Sequence, residues 1–454
     1  MGLRGSIVCI ALAGIMWMIA ACGERAQAPS DSSAGEPDAC DGLACAVVNC
    51  GAKGLPPTSI SGTVYAPNGT LALYGATVYV PASDPGPLPE GVQCDRCNFL
   101  GGAVSTTVTD DKGEFVLRDV PATTDVPVVI QIGKWRRQLT IPNVAACQDL
   151  PLSAVETRLP KNKSEGDIPL IAITTGDADA LECLVRKLGV DDTEFTTDTQ
   201  GGRVHLFNGN GAMEFETGFA GGSGEFPNAT ALWNTTSKLS NYDITMFSCE
   251  GGQYPDTKSQ AAMQAVHDYA GLGGRVFMSH WHNIWIGGED GDPSHGLADW
   301  MSIMEFDYAA PQPDTTQLTV VDQAAPKGAV FATWLENVGA SPVMRGQLQV
   351  KAPRYTAQSV DPAKGERWVY VDPTLSSPMG RTGVQNTLFT TPNEVPADQR
   401  CGKVVFSDMH VSSGSSSKPD TPFPGGCSAS PMSPQEKALA FIFFDIATCL
   451  GPIF

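Results

Sequence analysis

The sequence predicts a multidomain exported protein, with an N-terminal β-sandwich followed by a larger α/β domain that is built on a parallel sheet and carries a β-rich insertion. Three observations lead there. Short alternating strands with turn chemistry recur between residues 59 and 161, buried-strand runs alternate with helical periods across residues 167–454, and the first 22 residues have the form of an export signal.

Composition agrees. With 42% hydrophobic and 17% charged residues, the 454-residue chain has apolar surface for at least two cores. Its 48 glycines and 34 prolines favour strands and turns over long helices. A formal net charge of −20 argues against nucleic acid or anionic lipid as an electrostatic partner.

Arg4 and the amino terminus precede an apolar run over residues 7–21, long enough for a signal peptide and short for a membrane span. The run ends in Ile19, Ala20, Ala21 and Cys22. This stretch resembles the lipobox of bacterial lipoproteins, which implies removal of residues 1–21, a lipid on Cys22 and anchoring to a membrane. Gly23 stands where Asp commonly signals inner-membrane retention, so the resemblance implies an outer-membrane lipoprotein facing either the periplasm or the outside. An ordinary secretory peptide is the alternative. Residues 22–58, rich in Ala, Ser, Pro and Asp, read as a flexible tether. In an oxidising compartment, the five-residue spacing of Cys40, Cys45 and Cys50 favours disulfides over a metal knuckle. Removing Cys9 and Cys22 from the 13 cysteines leaves an odd number, so at least one is free or pairs outside the chain.

In the sandwich region, strands are expected over residues 60–65, 76–81, 104–109, 114–117, 128–132 and 138–141. Asp110, Asp111, Lys112 and Gly113 supply a hairpin turn, and a calcium loop is the weaker reading of the same residues. The stretches ISGTVYAPNGTLALYGATVYVP and TDDKGEFVLRDVP resemble the carboxypeptidase regulatory-like (transthyretin-like) module, which implies an accessory or binding sandwich. Cys94 and Cys97 form a CxxC pair, and Cys147 is the expected disulfide partner of one of them. Lys134, Trp135, Arg136 and Arg137 make an aromatic-basic patch, either a docking surface or edge protection.

In the α/β region, strands are expected over residues 168–174, 242–248, 275–279 and 403–407, with helices over 177–188, 257–270 and 434–448. Ligands of open parallel sheets collect beyond the carboxyl ends of the strands. Three such ends carry chemistry: Cys249 and Glu250, then Ser279, His280, Trp281 and His282, then Asp408 and His410. The motifs YDITMFSCEGG, GGRVFMSHWH and GKVVFSDMH resemble the ThuA-like branch of the class I glutamine amidotransferase-like (flavodoxin-like) fold. Active amidotransferases place a nucleophilic Cys after the strand that here ends at Ser279 and add a late His-x-Glu. This chain departs at both points, which sets glutamine hydrolysis in doubt and leaves His280 and His410 as the positions to carry over.

The candidate catalytic set is therefore His280, His410, Asp408 and Ser279, with Cys249, Glu250, Trp281 and His282 lining a pocket. A carboxylate-oriented imidazole can activate water. No cofactor is required, although the spacing permits a divalent ion on His280, His282, His410 and Asp408. The alternatives are a core-filling His or Trp and a backbone-capping Asp408. Expected disulfides are Cys183 with Cys249 and Cys401 with Cys427. Residues 287–295 have the composition of a mobile lid, and residues 299–400 read as an insertion of β-hairpins. Two functions remain: an envelope protein that binds or displays a glycan or surface partner, and an extracytoplasmic hydrolase of a carbohydrate or amide.

Overall fold

Alternation of apolar and polar residues builds seven short strands: β1 (Ser59–Thr63), β2 (Thr77–Pro81), β3 (Ala103–Val108), β4 (Glu114–Arg118), β5 (Thr124–Ile132), β6 (Trp135–Asn143) and β7 (Asp149–Pro151). They pair into two sheets, β4-β1-β7 and β3-β2-β5-β6, in a computed structural model that describes residues 40–95, 102–341, 343–375 and 380–450. Residues 1–21, Cys22 and Cys97 lie outside the described residues. In β4, Phe115 and Leu117 are buried while Glu114, Val116 and Arg118 face out, the period of two that a half-buried strand requires. The Asp110 carboxylate accepts from the Lys112 and Glu114 N–H groups, so the turn uses this oxygen itself. Gly113 closes the turn at φ 74°, where a Cβ would stand 2.9 Å from the Leu73 nitrogen.

The second sheet has ten strands. Six are parallel: β8 (Ile171–Thr175), β9 (Phe195–Thr196), β10 (Val204–Asn208), β11 (Ile244–Phe247), β12 (Arg275–Ser279) and β19 (Gly402–Ser407). Apart from the two-residue β9 at the edge, their spatial order is β10-β8-β11-β12-β19, or 2-1-3-4-5 in chain order, one of the two common doubly wound arrangements. The crossover helices α2 (Leu181–Lys187) and α5 (Gln260–Gly271) start later than their sequence periods suggest. Residues 177–180 are instead held by Asp179, and Ser259 caps α5 through the Ala262 N–H.

The insertion does not stand apart. Its strands β14 (Thr316–Val321), β15 (Gln347–Lys351), β17 (Gly365–Val371) and β18 (Gly383–Thr391) extend the same sheet beyond β19 by antiparallel pairing. The strands β13 (Met304–Phe306) and β16 (Ala357–Val360) form a separate ribbon. The helix α8 (Gly328–Asn337), inside this insertion, was hidden by the hairpin reading.

Sandwich and sheet share one core, and residues from Gly42 onward form one compact unit. Helix α9 (Pro434–Ala447), capped by a Ser433/Glu436 box, is buried on nearly every side because it lies between the two. Phe443 and Phe444 pack on Trp135 of β6 at 6.0 and 5.6 Å, and Phe441 packs on Phe331 and Trp334 of α8. The aromatic-basic patch belongs to this seam. Trp135 is fully buried, Lys134 pairs with Asp243 at 2.5 Å, and Arg136 pairs with Asp167 at 2.8 Å. The patch is a clasp inside the chain, so neither the docking reading nor edge protection holds.

Three disulfides correct the expected pairings: Cys50–Cys147, Cys94–Cys401 and Cys183–Cys427. Cys401 precedes β19 and Cys427 lies in the loops past its carboxyl end. Six residues of strand span roughly 20 Å, far beyond the about 7 Å that Cα atoms of a disulfide tolerate. Cys401 therefore reaches back to Cys94 and Cys427 to α2. Cys249, expected to pair with Cys183, is a free buried thiol.

Candidate functional site

The parallel register sets the ends of β11, β12 and β19 side by side, with Phe247 opposite Met278 and Ser279 opposite Ser407. The chain continues from each end into the residues singled out by sequence. Cys249, His280 and His410 offer ligand atoms that all lie within 4.8 Å of one another. Cys249 Sγ stands 3.6 Å from His280 Nδ1, and the His280 and His410 rings are 5.2 Å apart. His280 Nε2 meets Thr356 Oγ1 at 3.0 Å. Among the described residues His410 Nε2 is buried with no partner.

His280 opens the 3-10 turn His280–Asn283 with φ 35°, a left-handed conformation that costs a side-chain-bearing residue about 1–3 kcal/mol. Strand β12 thus ends in a sharp turn that carries an imidazole. Trp281, half-buried, sets its ring 4.8 Å from that of His280.

Other candidates have different work. Ser279 is fully buried and donates to Asp179 Oδ2 at 2.5 Å, so its hydroxyl proton is held by a carboxylate and no Ser-His-Asp triad forms. His282 accepts from Trp285 Nε1 at Nδ1, and its Nε2 donates to the Ser248 carbonyl. Both nitrogens are spent, so His282 is a satisfied core histidine. Asp408 accepts from the Ala357 N–H at 2.9 Å and does not orient an imidazole. Burial pushes its carboxyl up to about 7. Glu250 forms a tight ion pair with the wholly buried Lys258 and lies 4.0 Å from His282 Nε2, and burial raises it to about 7 as well. The segment read as a lid is tied down: His295 Nδ1 lies 3.0 Å from Glu289, His295 Nε2 2.5 Å from the Lys258 carbonyl, and Tyr308 donates to the Gly288 carbonyl.

Sequence reasoning missed three residues. Asp179, just after β8, accepts from Ser279 Oγ, the Ala180 N–H and the Val411 N–H, and so joins three strand ends. Thr356 and Arg354 come from the insertion, where no motif marks them. Arg354 is half-buried, its Nε is sealed without an acceptor among the described residues, and its charge acts on the Asp408 carboxyl. Its charge reaches the cluster. Burial first, then His410 and Arg354, holds His280 well below the usual histidine range, and burial lowers His410 too. Burial pushes the Cys249 thiol up to about 12, against backbone N–H donors from Trp281 and Gly251. Burial thus favours uncharged imidazoles and a protonated thiol, which works against a resting thiolate nucleophile.

No protein-family model matches the chain, and neither does any curated protein sequence. Among solved structures, a protein of Bacteroides uniformis named as ThuA-like is similar at 13% identity, covering 60% of this chain and 89% of its own, with a TM-score of 0.30. Two cohesin–X-dockerin complexes of Acetivibrio cellulolyticus, interface mutants of type II, match at 20% and 19% identity over 30% and 32% of this chain, and 85% and 78% of theirs. Their TM-scores are 0.17 and 0.16, so the strand pairing of the chain itself carries the account of its fold.

Proposed function

We propose that this chain is an exported, lipid-anchored envelope protein that binds an acidic small molecule, such as the uronate end of a glycan, beyond the ends of β11, β12 and β19. The observation that carries this reading is Arg354: its Nε is buried without an acceptor, beside two imidazoles held neutral by burial. An unpaired buried donor on a cation costs more than about 1–3 kcal/mol, a cost that an incoming carboxylate removes. The amidotransferase-like arrangement with a histidine at its elbow supports binding at this place without glutamine hydrolysis. The seven-stranded sandwich supports an accessory module of the carboxypeptidase regulatory-like kind, and the disulfides support an oxidising compartment.

The test is calorimetric titration of the exported protein with hexuronate oligosaccharides, their neutral hexose counterparts and small dicarboxylates, repeated with Arg354→Gln. An acidic ligand should bind the native protein and lose roughly 10- to 100-fold in Arg354→Gln, the worth of one charged hydrogen bond. Equal binding of neutral sugars, or no effect of the substitution, rejects the reading. The convergence of Cys249, His280 and His410 favours a second reading, a metal-assisted hydrolase of the same ligand, which turnover of the bound compound would distinguish.

A further inference from the structure

We infer that Cys249, His280 and His410 form a transition-metal site of the zinc type. The inference deepens the reading above by naming what receives the acidic group at that site. One thiolate and two imidazoles make a soft-to-borderline donor set, the kind that binds zinc with a fourth position open. Bonds of about 2.3 Å to sulfur and 2.0–2.1 Å to nitrogen give a tetrahedral sulfur–nitrogen edge of about 3.6 Å. Cys249 Sγ and His280 Nδ1 stand 3.6 Å apart, and the ligand atoms of all three residues lie within 4.8 Å of one another.

The surroundings fit as well. His280 uses Nδ1 toward the cluster while its Nε2 meets Thr356 Oγ1 at 3.0 Å, the outer hydrogen bond that fixes the tautomer of a ligating imidazole. Asp408 in turn fixes the segment carrying Thr356 through the Ala357 N–H. His410 Nε2 is buried and without a protein partner among the described residues, so this imidazole has a nitrogen not committed to the protein. Cys249 is the free thiol among the described residues, in a chain whose other described cysteines are in disulfides. A divalent ion with one thiolate keeps one positive charge, Arg354 adds another, and the Asp179 carboxylate, which acts on Cys249 and His410, offsets one and leaves the balance positive. The open position therefore suits an anion.

Binding releases the thiol proton to solvent as the sulfur–metal bond forms, and no electron is transferred. The same Cys249–His280 distance also suits a simple thiol–imidazole hydrogen bond, so the experiment must separate the two. The full chain, exported so that its disulfides form, is treated with chelator, dialysed and titrated with Co²⁺ and Zn²⁺, and its metal content is measured. Expected are one ion per chain, a thiolate-to-cobalt charge-transfer band that Zn²⁺ abolishes, and loss of that band in Cys249→Ser. Thr356→Val, which removes no ligand, should weaken Zn²⁺ about 10- to 100-fold and keeps the test alive if the cysteine variant fails to fold. A sub-stoichiometric metal content, or cobalt spectra and Zn²⁺ affinities unchanged by both substitutions, overturns the inference. Metal bound as expected, with no acidic ligand taken up, leaves the site standing and removes the acidic-ligand reading alone.

Discussion

Asp179→Ala should loosen the site and the fold together. The Asp179 carboxylate is buried and accepts from Ser279 Oγ at 2.5 Å, the Val411 N–H at 2.7 Å and the Ala180 N–H at 2.9 Å. Alanine leaves the buried Ser279 hydroxyl and the Val411 and Ala180 N–H groups without acceptors. At about 1–3 kcal/mol for each of these orphaned groups, the substitution should cost at least about 3 kcal/mol. Asp179→Asn keeps one oxygen for the two backbone donors and turns its amide toward Ser279 Oγ, which can accept, so its cost should stay within about 1 kcal/mol. Urea unfolding followed by tryptophan fluorescence, extrapolated to water, measures both variants. If the alanine variant loses less than about 1 kcal/mol, or the two variants are equally destabilised, Asp179 does not join these strand ends in the way described.

Three further predictions concern the whole molecule. Phe441→Ala, at the contact of α9 with α8, should cost about 3–5 kcal/mol and lower the stability of sandwich and sheet in one transition, since the two share a core; separate transitions in calorimetry would contradict that. Arg158 grips Glu165 through two hydrogen bonds and lowers its carboxyl from the usual 4.5 to about 2. The pair's contribution is complete above pH 4.5 and is lost as pH falls toward 2, so Glu165→Gln should lower Tm at neutral pH and converge with the native protein in acid. Being half-buried rather than sealed from solvent, the pair should give a modest difference that salt reduces in part. Peptide mapping without reduction should recover Cys50 with Cys147, Cys94 with Cys401 and Cys183 with Cys427, and a Cys401–Cys427 peptide would refute the strand-length argument.

The sequence was most readable where chemistry is local. Period-two alternation located the sandwich strands, and the buried runs ending in Cys249, Ser279 and Ser407 marked three adjacent strand ends before their neighbours were known. His280 and His410 stood out because imidazoles are few and both follow strands. What escaped depends on contacts distant along the chain. His282 looks like His280 in sequence, and only the positions of Trp285 Nε1 and the Ser248 carbonyl reveal that both its nitrogens are occupied. Arg354 and Thr356 reach the site because the insertion pairs its strands onto β19, a connection that no local pattern records. Disulfide partners were misjudged for the same reason. The distance between two cysteines is set by which end of a strand each occupies, and Cys401 and Cys427 occupy opposite ends.

The central claim is that the three strand ends converge on one metal. X-ray absorption at the zinc edge, recorded on the zinc-loaded full chain, tests it most directly. The account predicts one sulfur at about 2.3 Å and two imidazole nitrogens at about 2.0–2.1 Å, with the sulfur lost in Cys249→Ser. A shell of oxygen and nitrogen alone, unchanged by that substitution, would contradict it.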